Sequence, residues 1–262
     1  MTLVDEFLTR NLDVDVYTHE HCDVGIPSTL EPLADYDVVV NTAAYHKINE
    51  CEDWPLKARV INADGASNVA AVAKRTLYIS TDYAFGNDGP HEEVLSGSVP
   101  PSVYGQTKAL GELKTLERGG VVVRVAGLYG HHESHKGVQF PDMVVGSYDT
   151  LHVPDDQRFS PTYAPDAAKR IVDIALDPYA EGIYHATGQG SATWCNFAIE
   201  ICEVARHKRM IAPTYKADPL RPKNSVLRST RLPPLRHWRF ALMEWAEARR
   251  EMNYVSPLRG EQ

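Results

Sequence analysis

Two residues with complementary chemistry lie one helical turn apart in the segment SVYGQTKALGELKTLE, residues 102–117. They are Tyr104 and Lys108, and the helical pattern of the segment places both side chains on one face. A cation beside a phenol favours the phenolate, which lowers the pKa of the tyrosine and suits it to proton transfer near neutral pH. The pair indicates acid–base chemistry, although one such spacing among 13 tyrosines is also expected on an ordinary exposed helix face.

Polar side chains at the end of a predicted strand support this interpretation. The apolar segment TLYIST, residues 76–81, reads as a buried strand, and the residues at its end are Ser80, Thr81, Asp82 and Tyr83. Ligands of parallel α/β sheets bind beyond the carboxyl ends of strands, where a hydroxyl can bind a carbonyl oxygen. Small residues at the end of another predicted strand would let a ligand approach the backbone; this end comprises Ala43, Ala44 and Tyr45.

Apolar strands alternate with helices over the first 130 residues, which predicts a doubly wound α/β fold with a parallel sheet. The predicted strands are 13–17, 36–45, 76–81 and 120–130, and the helices are 54–74 and 102–117. Beyond a polar stretch at 131–150 the pattern predicts a helix at 165–177 with Asp166 as N-cap, a strand at 182–188, a helix at 193–209 capped by Ser191 or Thr193, extended connections at 211–235 and a last helix at 236–252. We expect a dinucleotide-binding domain formed by 1–130 plus 161–180 and a smaller substrate lobe formed by 131–160 plus 181–262.

Composition narrows the possible partners. The 262 residues carry a net charge of −8, which argues against a nucleic-acid backbone as ligand. No apolar run approaches the roughly 20 residues needed to cross a bilayer. The four cysteines form no close pair, so reduced thiols and a cytoplasmic location are expected. The cluster His19, Glu20, His21 and Cys22 is interpreted as a solvated loop rather than a metal site.

The order and spacing of several motifs resemble the extended short-chain dehydrogenase/reductases. The motifs are VNTAAYHKINECE, VINADGASN, ISTDYAFG, VYGQTKALGE, VVRVAGLYG, RFSPTYAPDAA, GIYHATGQGSATWCNFA and RPKNSVLRSTRL. Within that superfamily the chain looks most like the dTDP-4-dehydrorhamnose reductases, from residue 3 onward. The resemblance implies NADPH- or NADH-dependent reduction of a 4-keto nucleotide-sugar, in a protein that can form a homodimer.

The resemblance also implies a role for each matching residue. Tyr104 would protonate the sugar oxygen, Lys108 would hold the nicotinamide ribose and lower the phenol's pKa, and Thr81 would bind the substrate carbonyl or Tyr104. The other residues implied at the cofactor are Ala43, Ala44, Tyr45, Asn62 and Ser80. The residues implied at the sugar nucleotide are Asp82, Tyr83, Gly127 and Arg221.

Two features depart from the family pattern. The family begins with a strand and a Gly-x-x-Gly-x-x-Gly turn before the helix that LVDEFLT, residues 3–9, resembles, and here both are missing. A genuine deletion would expose inner strand edges and remove amides that hold the cofactor diphosphate, whereas a misplaced start would leave the natural chain longer. In addition, Gly127 stands where these reductases place a tryptophan against the sugar, which predicts a larger pocket.

Two alternatives to the reductase follow from these departures. A catalytically silent regulatory or structural subunit could keep the fold as a binding surface, as in the methionine adenosyltransferase regulatory β subunits, whose equivalent stretch also lacks the tryptophan. An epimerase or dehydratase of nucleotide-sugars would use the same triad with tightly held NAD. The joint presence of Thr81, Tyr104 and Lys108 favours a catalyst.

Overall fold

The computed structural model describes residues 3–131, 138–216 and 218–251, and its elements alternate as an α/β fold requires. The strands are β1 (Val39–Asn41), β2 (Thr76–Thr81), β3 (Val121–Val125), β4 (Leu128–Tyr129), β5 (Leu151–Pro154), β6 (Arg158–Phe159), β7 (Thr162–Tyr163), β8 (Gly182–His185), β9 (Ala192–Thr193) and β10 (Ile211–Thr214). The helices are α1 (Leu3–Thr9), α2 (Ile48–Asp53), α3 (Pro55–Arg59), α4 (Gly65–Val72), α5 (Val103–Leu116), α6 (Phe140–Val145), α7 (Ala164–Leu176), α8 (Trp194–Val204) and α9 (Trp238–Glu251).

A parallel sheet with the strand order β1-β2-β3-β8 forms the centre of the fold. Side chains alternate between its two faces, as they do along any strand. Leu77, Val121 and Val123 pack towards α1 and α7, whereas Tyr78 and Val122 pack towards α4 and α5. Helices therefore cover both faces, and the predicted doubly wound parallel sheet is confirmed.

The segment 13–17 does not form the predicted strand. A strand requires a partner, and a cavity of about 700 Å³ separates this segment from β1, lined on one side by Asp15 and Tyr17 and on the other by Val39 and Val40. The amide of Val39 donates to the carbonyl of Arg75, so β1 pairs with the β2 side of the sheet. In a parallel sheet, successive residues of a strand direct their backbone N–H and C=O groups to opposite sides. The backbone N–H and C=O of Val40 therefore point into the cavity.

Most predicted helices lie where the sequence pattern indicates, with corrected ends. The predicted helix 54–74 spans α3, a π-helical turn at Val60–Asp64 and α4. Asp166 is not the N-cap of α7, because that helix begins at Ala164 and Tyr163 occupies the cap position. Of the two predicted caps of α8, Thr193 is correct, since its hydroxyl accepts a hydrogen bond from the amide of Asn196.

A second core lies in the carboxyl-terminal part of the chain, where α8 and α9 pack on one another and on the short strands. Trp238 and Trp245 belong to this core, whereas Phe240 on the same helix is 65% exposed. The strand β8 lies in the central sheet beside β3. Residues 132–137, 217 and 252–262 of the predicted substrate lobe are outside the described part of the chain. Within the described ranges, no helix is long and apolar enough to cross a membrane.

Candidate active site

A cavity of about 460 Å³ opens beyond the carboxyl ends of β2 and β3. This is where ligands bind in doubly wound sheets. Most of the residues predicted at the site line this cavity: Ala44, Ser80, Thr81, Asp82, Tyr104, Lys108 and Gly127. Four residues that line the same cavity were missed by sequence reasoning: His46 from the loop after β1, and Ala164, Ala168 and Ile171 from α7. The three α7 residues are apolar and carry no distinctive chemical signal.

Tyr104 lies in the first turn of α5, whose start is determined by Ser102. The Ser102 hydroxyl accepts from the amide of Gly105 at 3.2 Å and caps the helix. Burial raises the pKa of the Tyr104 phenol well above its usual value, and the neighbouring Thr81 hydroxyl opposes that rise only partly. Tyr104 is therefore protonated at neutral pH and can act as a proton donor.

Lys108 follows Tyr104 by one turn and is also buried. Its Nζ donates to the carbonyl of Ile79 at 2.7 Å and lies 3.9 Å from the centroid of the Tyr78 ring. The pKa of the Tyr104 phenol is raised overall, where the spacing of the pair predicts a lowered value, because burial of the phenol dominates. The ammonium is held against the end of β2, at the wall of the cavity.

Asp82 is the first residue of the turn that follows β2 and is only 4% exposed. Its carboxylate accepts hydrogen bonds from the hydroxyls of Thr81 at 3.1 Å and Ser225 at 2.6 Å. Burial raises the pKa of Asp82 to about 6, although both hydroxyls and the charge of Arg221 oppose the rise. The neighbouring Tyr83 accepts a 2.9 Å hydrogen bond from Arg221. The predicted sugar-nucleotide residues Asp82, Tyr83 and Arg221 are thus brought together.

Asn62 has a positioning role in this structure. Its Oδ1 accepts from the amide of Tyr45 at 2.7 Å, and its Nδ2 donates to the Tyr45 carbonyl and to the Thr107 hydroxyl, both at 3.0 Å. The side chain therefore joins the loop 42–45 to α5. This contact holds Ala44 at the edge of both cavities and Ala43 at the edge of the 700 Å³ cavity, where each presents only a methyl group.

A fully buried ion pair lies behind the site. Arg124 of β3 donates to both carboxylate oxygens of Glu112 on α5, from Nε at 2.8 Å and from Nη2 at 2.6 Å. Ser80 donates to the same carboxylate at 2.5 Å, so its hydroxyl is bound within the protein. Glu112 follows Lys108 by one helical turn, just as Lys108 follows Tyr104. This repeated spacing is the sequence signal that could have identified Glu112. The pair holds α5 in register with the strands that end at the cavity.

Gly127 is required by its surroundings. Its φ is +48°, and a Cβ atom there would lie 2.4 Å from two ring carbons of Phe159. The Phe159 ring stacks on Trp194 with 4.0 Å between centroids, so it cannot move aside freely. The space that a side chain at 127 would take is filled by Phe159, and the absence of tryptophan does not leave it open.

We expect Gly127→Ala to lower the free energy of unfolding by about 1–3 kcal/mol, because the methyl group overpacks against Phe159 in a left-handed backbone conformation. Urea unfolding followed by circular dichroism measures this loss. Gly97→Ala is the matched control, since a Cβ at 97 meets no atom within 4 Å. Equal stabilities of the two variants would contradict the packing argument.

The described residues contain no group of three or more His, Cys, Asp or Glu side chains arranged to hold a metal ion. In the segment 19–22, His21 Nδ1 lies 3.1 Å from the hydroxyl of Thr18. All four cysteines are buried and free.

Comparison with known proteins identifies the family. The family described as "RmlD substrate binding domain" matches residues 1–253. The chain belongs to the RmlD family. A probable dTDP-4,6-dihydroxy-2-methyloxan-3-one 4-ketoreductase from Streptomyces antibioticus is 34% identical to this chain over 92% of this chain and 89% of its own length. A dTDP-4-dehydrorhamnose reductase from Streptomyces griseus is 36% identical over 79% of this chain and 75% of its own.

The RmlD fold is also seen in solved structures similar to this chain. The dTDP-4-dehydrorhamnose reductase of Bacillus anthracis, crystallised with NADP, has a TM-score of 0.85 and 27% sequence identity, and the match covers 94% of each chain. The family resemblance predicted from the sequence motifs is therefore confirmed.

Proposed function

We propose that this protein is an NADPH-dependent reductase of a dTDP-linked 4-keto sugar. The observation that carries the proposal is that Thr81, Tyr104 and Lys108 line one cavity beyond the carboxyl end of β2. The relatives named as 4-ketoreductase and dTDP-4-dehydrorhamnose reductase support the substrate class, and the NADP bound to the Bacillus anthracis reductase supports the cofactor.

The residues present fit a dinucleotide. The 460 Å³ cavity and the 700 Å³ cavity beside β1 share Thr42 and Ala44 in their walls, so the two form neighbouring compartments. The small side chains at 42–44 leave the backbone accessible between them, and larger residues there would fill the passage. Ala43, Ala44 and Tyr45 would hold the cofactor, with Lys108 at its ribose. When bound, NADPH supplies a hydride to the sugar carbonyl carbon.

The remaining chemistry is proton transfer and charge stabilisation by side chains of this protein. Tyr104 donates its phenolic proton to the sugar oxygen, and the Thr81 hydroxyl lines the same cavity, where it can bind that oxygen. Tyr83 and Arg221 bind the sugar nucleotide, where the guanidinium suits a diphosphate. In this proposal 1–130 plus 161–180 form the cofactor domain, to which β8 adds a strand of the central sheet, and the described remainder of 131–160 plus 181–262 forms the substrate lobe.

Oxidation of NADPH by dTDP-4-dehydrorhamnose tests the activity. We expect absorbance of NADPH to fall only when protein and sugar nucleotide are both present, and calorimetric titration to show NADPH binding without sugar. NADH is the matched comparison for the 2′-phosphate. If NADPH and NADH are neither bound nor oxidised, the reductase proposal is refuted. That result would favour a silent regulatory subunit on the same fold.

We further propose a cytoplasmic location and a homodimer. Four free, buried thiols suit a reducing compartment. The exposed apolar side chains of α9, Phe240 and Met243, offer a contact surface for a second copy of the chain.

A further inference from the structure

Lys57 brings a positive charge to the wall of the 700 Å³ cavity beside β1. It lies on α3, one helical turn before Ile61, and both side chains line the cavity from this side. Among the described residues of the cavity wall, no other lysine or arginine is present. An anionic ligand that enters the cavity therefore meets this ammonium group.

Two carboxylates in the same wall, Asp15 and Asp23, are bound by other groups of the protein. Asp15 Oδ2 accepts a hydrogen bond from the Tyr36 hydroxyl at 2.5 Å. Asp23 Oδ1 accepts one from the amide of Gly25 at 2.8 Å. Each carboxylate is thus held by a donor of its own and not by the lysine.

An anchored aromatic ring positions the ammonium. Lys57 Nζ lies 4.8 Å from the centroid of the Tyr45 ring. The Tyr45 hydroxyl donates to Glu50 Oε2 at 2.9 Å, and Asn62 binds the Tyr45 backbone, so this residue is held at both ends. Glu50 forms a 2.7 Å salt bridge with Lys47, whereas Lys57 acts on that carboxylate only at longer range and forms no salt bridge with any described residue. Its charge is left for a ligand.

The position of Tyr45 places this charge beside the passage between the two cavities. Thr42 and Ala44 line both cavities, and Tyr45 is the next residue along the chain. In the proposed complex the nicotinamide half of the cofactor lies in the 460 Å³ cavity with Lys108, and the adenosine half lies in the 700 Å³ cavity. The diphosphate joins the two halves, so it has to cross the passage.

We propose that the Lys57 ammonium binds the diphosphate of the dinucleotide cofactor where it crosses this passage. The inference rests on the proposed reductase function and adds a residue to its cofactor site. An ammonium is a suitable point charge for phosphate oxygens, and a cavity wall strengthens the attraction relative to open water. Lys57 lies between the family motifs at 40–52 and 60–68 and belongs to neither, so the resemblance does not imply this role.

Calorimetric titration of NADPH and NADH into Lys57→Gln tests the contact without any turnover. We expect both dissociation constants to rise about tenfold, because both cofactors carry the same diphosphate. Lys57→Arg keeps the charge and should bind both cofactors within about threefold of the wild type. Arg59→Gln is the matched control, since Arg59 is exposed on the same helix, pairs with Asp64 at 3.8 Å and is not part of the cavity wall. Its dissociation constants should equal those of the wild type.

The other outcomes separate this inference from the reductase proposal. Weaker binding of NADPH alone would assign Lys57 to the 2′-phosphate, and unchanged binding of both cofactors would exclude a contact. Either result overturns the inference and leaves the reductase standing. Equal losses in Lys57→Gln and Arg59→Gln would reduce the effect to general surface charge and overturn it as well. A wild type that binds neither cofactor would overturn both proposals together.

Two further readouts distinguish a phosphate contact from a structural role of Lys57. Raising NaCl from about 50 to about 300 mM should weaken NADPH binding more in the wild type than in Lys57→Gln, since the variant has one ionic contact fewer. With saturating NADPH, kcat of the variant should stay within about twofold of the wild type while KM for NADPH rises about tenfold, because Lys57 does not line the cavity that contains Tyr104. Equal salt dependences, or a fall in kcat instead of a rise in KM, would overturn the contact.

Discussion

Tyr104→Phe lowers kcat by about 100-fold or more and leaves the fold intact: this is the result we expect for the residue with the largest role in the proposed reaction. The substitution removes only the phenolic oxygen and keeps the ring that packs edge-on against Tyr83 with 6.0 Å between centroids. Without that proton donor, the negative charge that develops on the sugar oxygen is not neutralised by a proton. Steady-state NADPH oxidation measures the effect.

Tyr179→Phe is the matched control for this prediction, because Tyr179 is a tyrosine on the exposed surface. Its kcat should equal that of the wild type, and the thermal midpoints of all three proteins should agree to within a few degrees. Turnover of Tyr104→Phe at the wild-type rate would refute Tyr104 as the acid. Lost turnover together with a large drop in thermal midpoint would instead mark the phenol as a structural group.

The second large effect is expected from the buried pair Glu112–Arg124. Glu112→Ala removes one partner and leaves the Arg124 guanidinium without water or a counter-charge, so we expect the free energy of unfolding to fall by about 3–5 kcal/mol. The double variant Glu112→Leu with Arg124→Met removes both charges and should retain most of the stability. Urea unfolding of the single and double variants measures the difference.

Glu200→Ala provides the matched control, since its partner Arg239 is largely exposed and such pairs contribute only about 0–1 kcal/mol. Equal losses for Glu112→Ala and Glu200→Ala would show that burial does not govern these pairs. A double variant as unstable as Glu112→Ala would show that the hydrogen bonds from Ser80 and to the Val94 carbonyl, rather than the unpaired charge, dominate.

The sequence alone was sufficient for the features that depend on local spacing. Strand β2 occupies the predicted residues 76–81, because its apolar run is buried on both faces. Helix α5 places Tyr104 and Lys108 one turn apart, as the i, i+4 spacing requires. The family motifs likewise led to the correct family, because their order along the chain is itself sequence information.

Predictions that depended on a distant partner were less complete. The pattern at 13–17 suits a strand, yet a strand forms only where another backbone can pair with it, and a cavity lies there instead. The pKa of Tyr104 was expected to fall because of Lys108, but that ammonium donates to Ile79 and burial of the phenol raises the pKa.

What the sequence by itself determined is therefore the order of most strands and helices and the side chains that share a helix face or a strand end, since each follows from periods of two to four residues. Tertiary structure alone decided which groups meet across long separations: Ser225 with Asp82, 143 residues apart, and Phe159 with Gly127. These contacts depend on how the sheet, its helices and the carboxyl-terminal segments stack. No local pattern encodes that stacking.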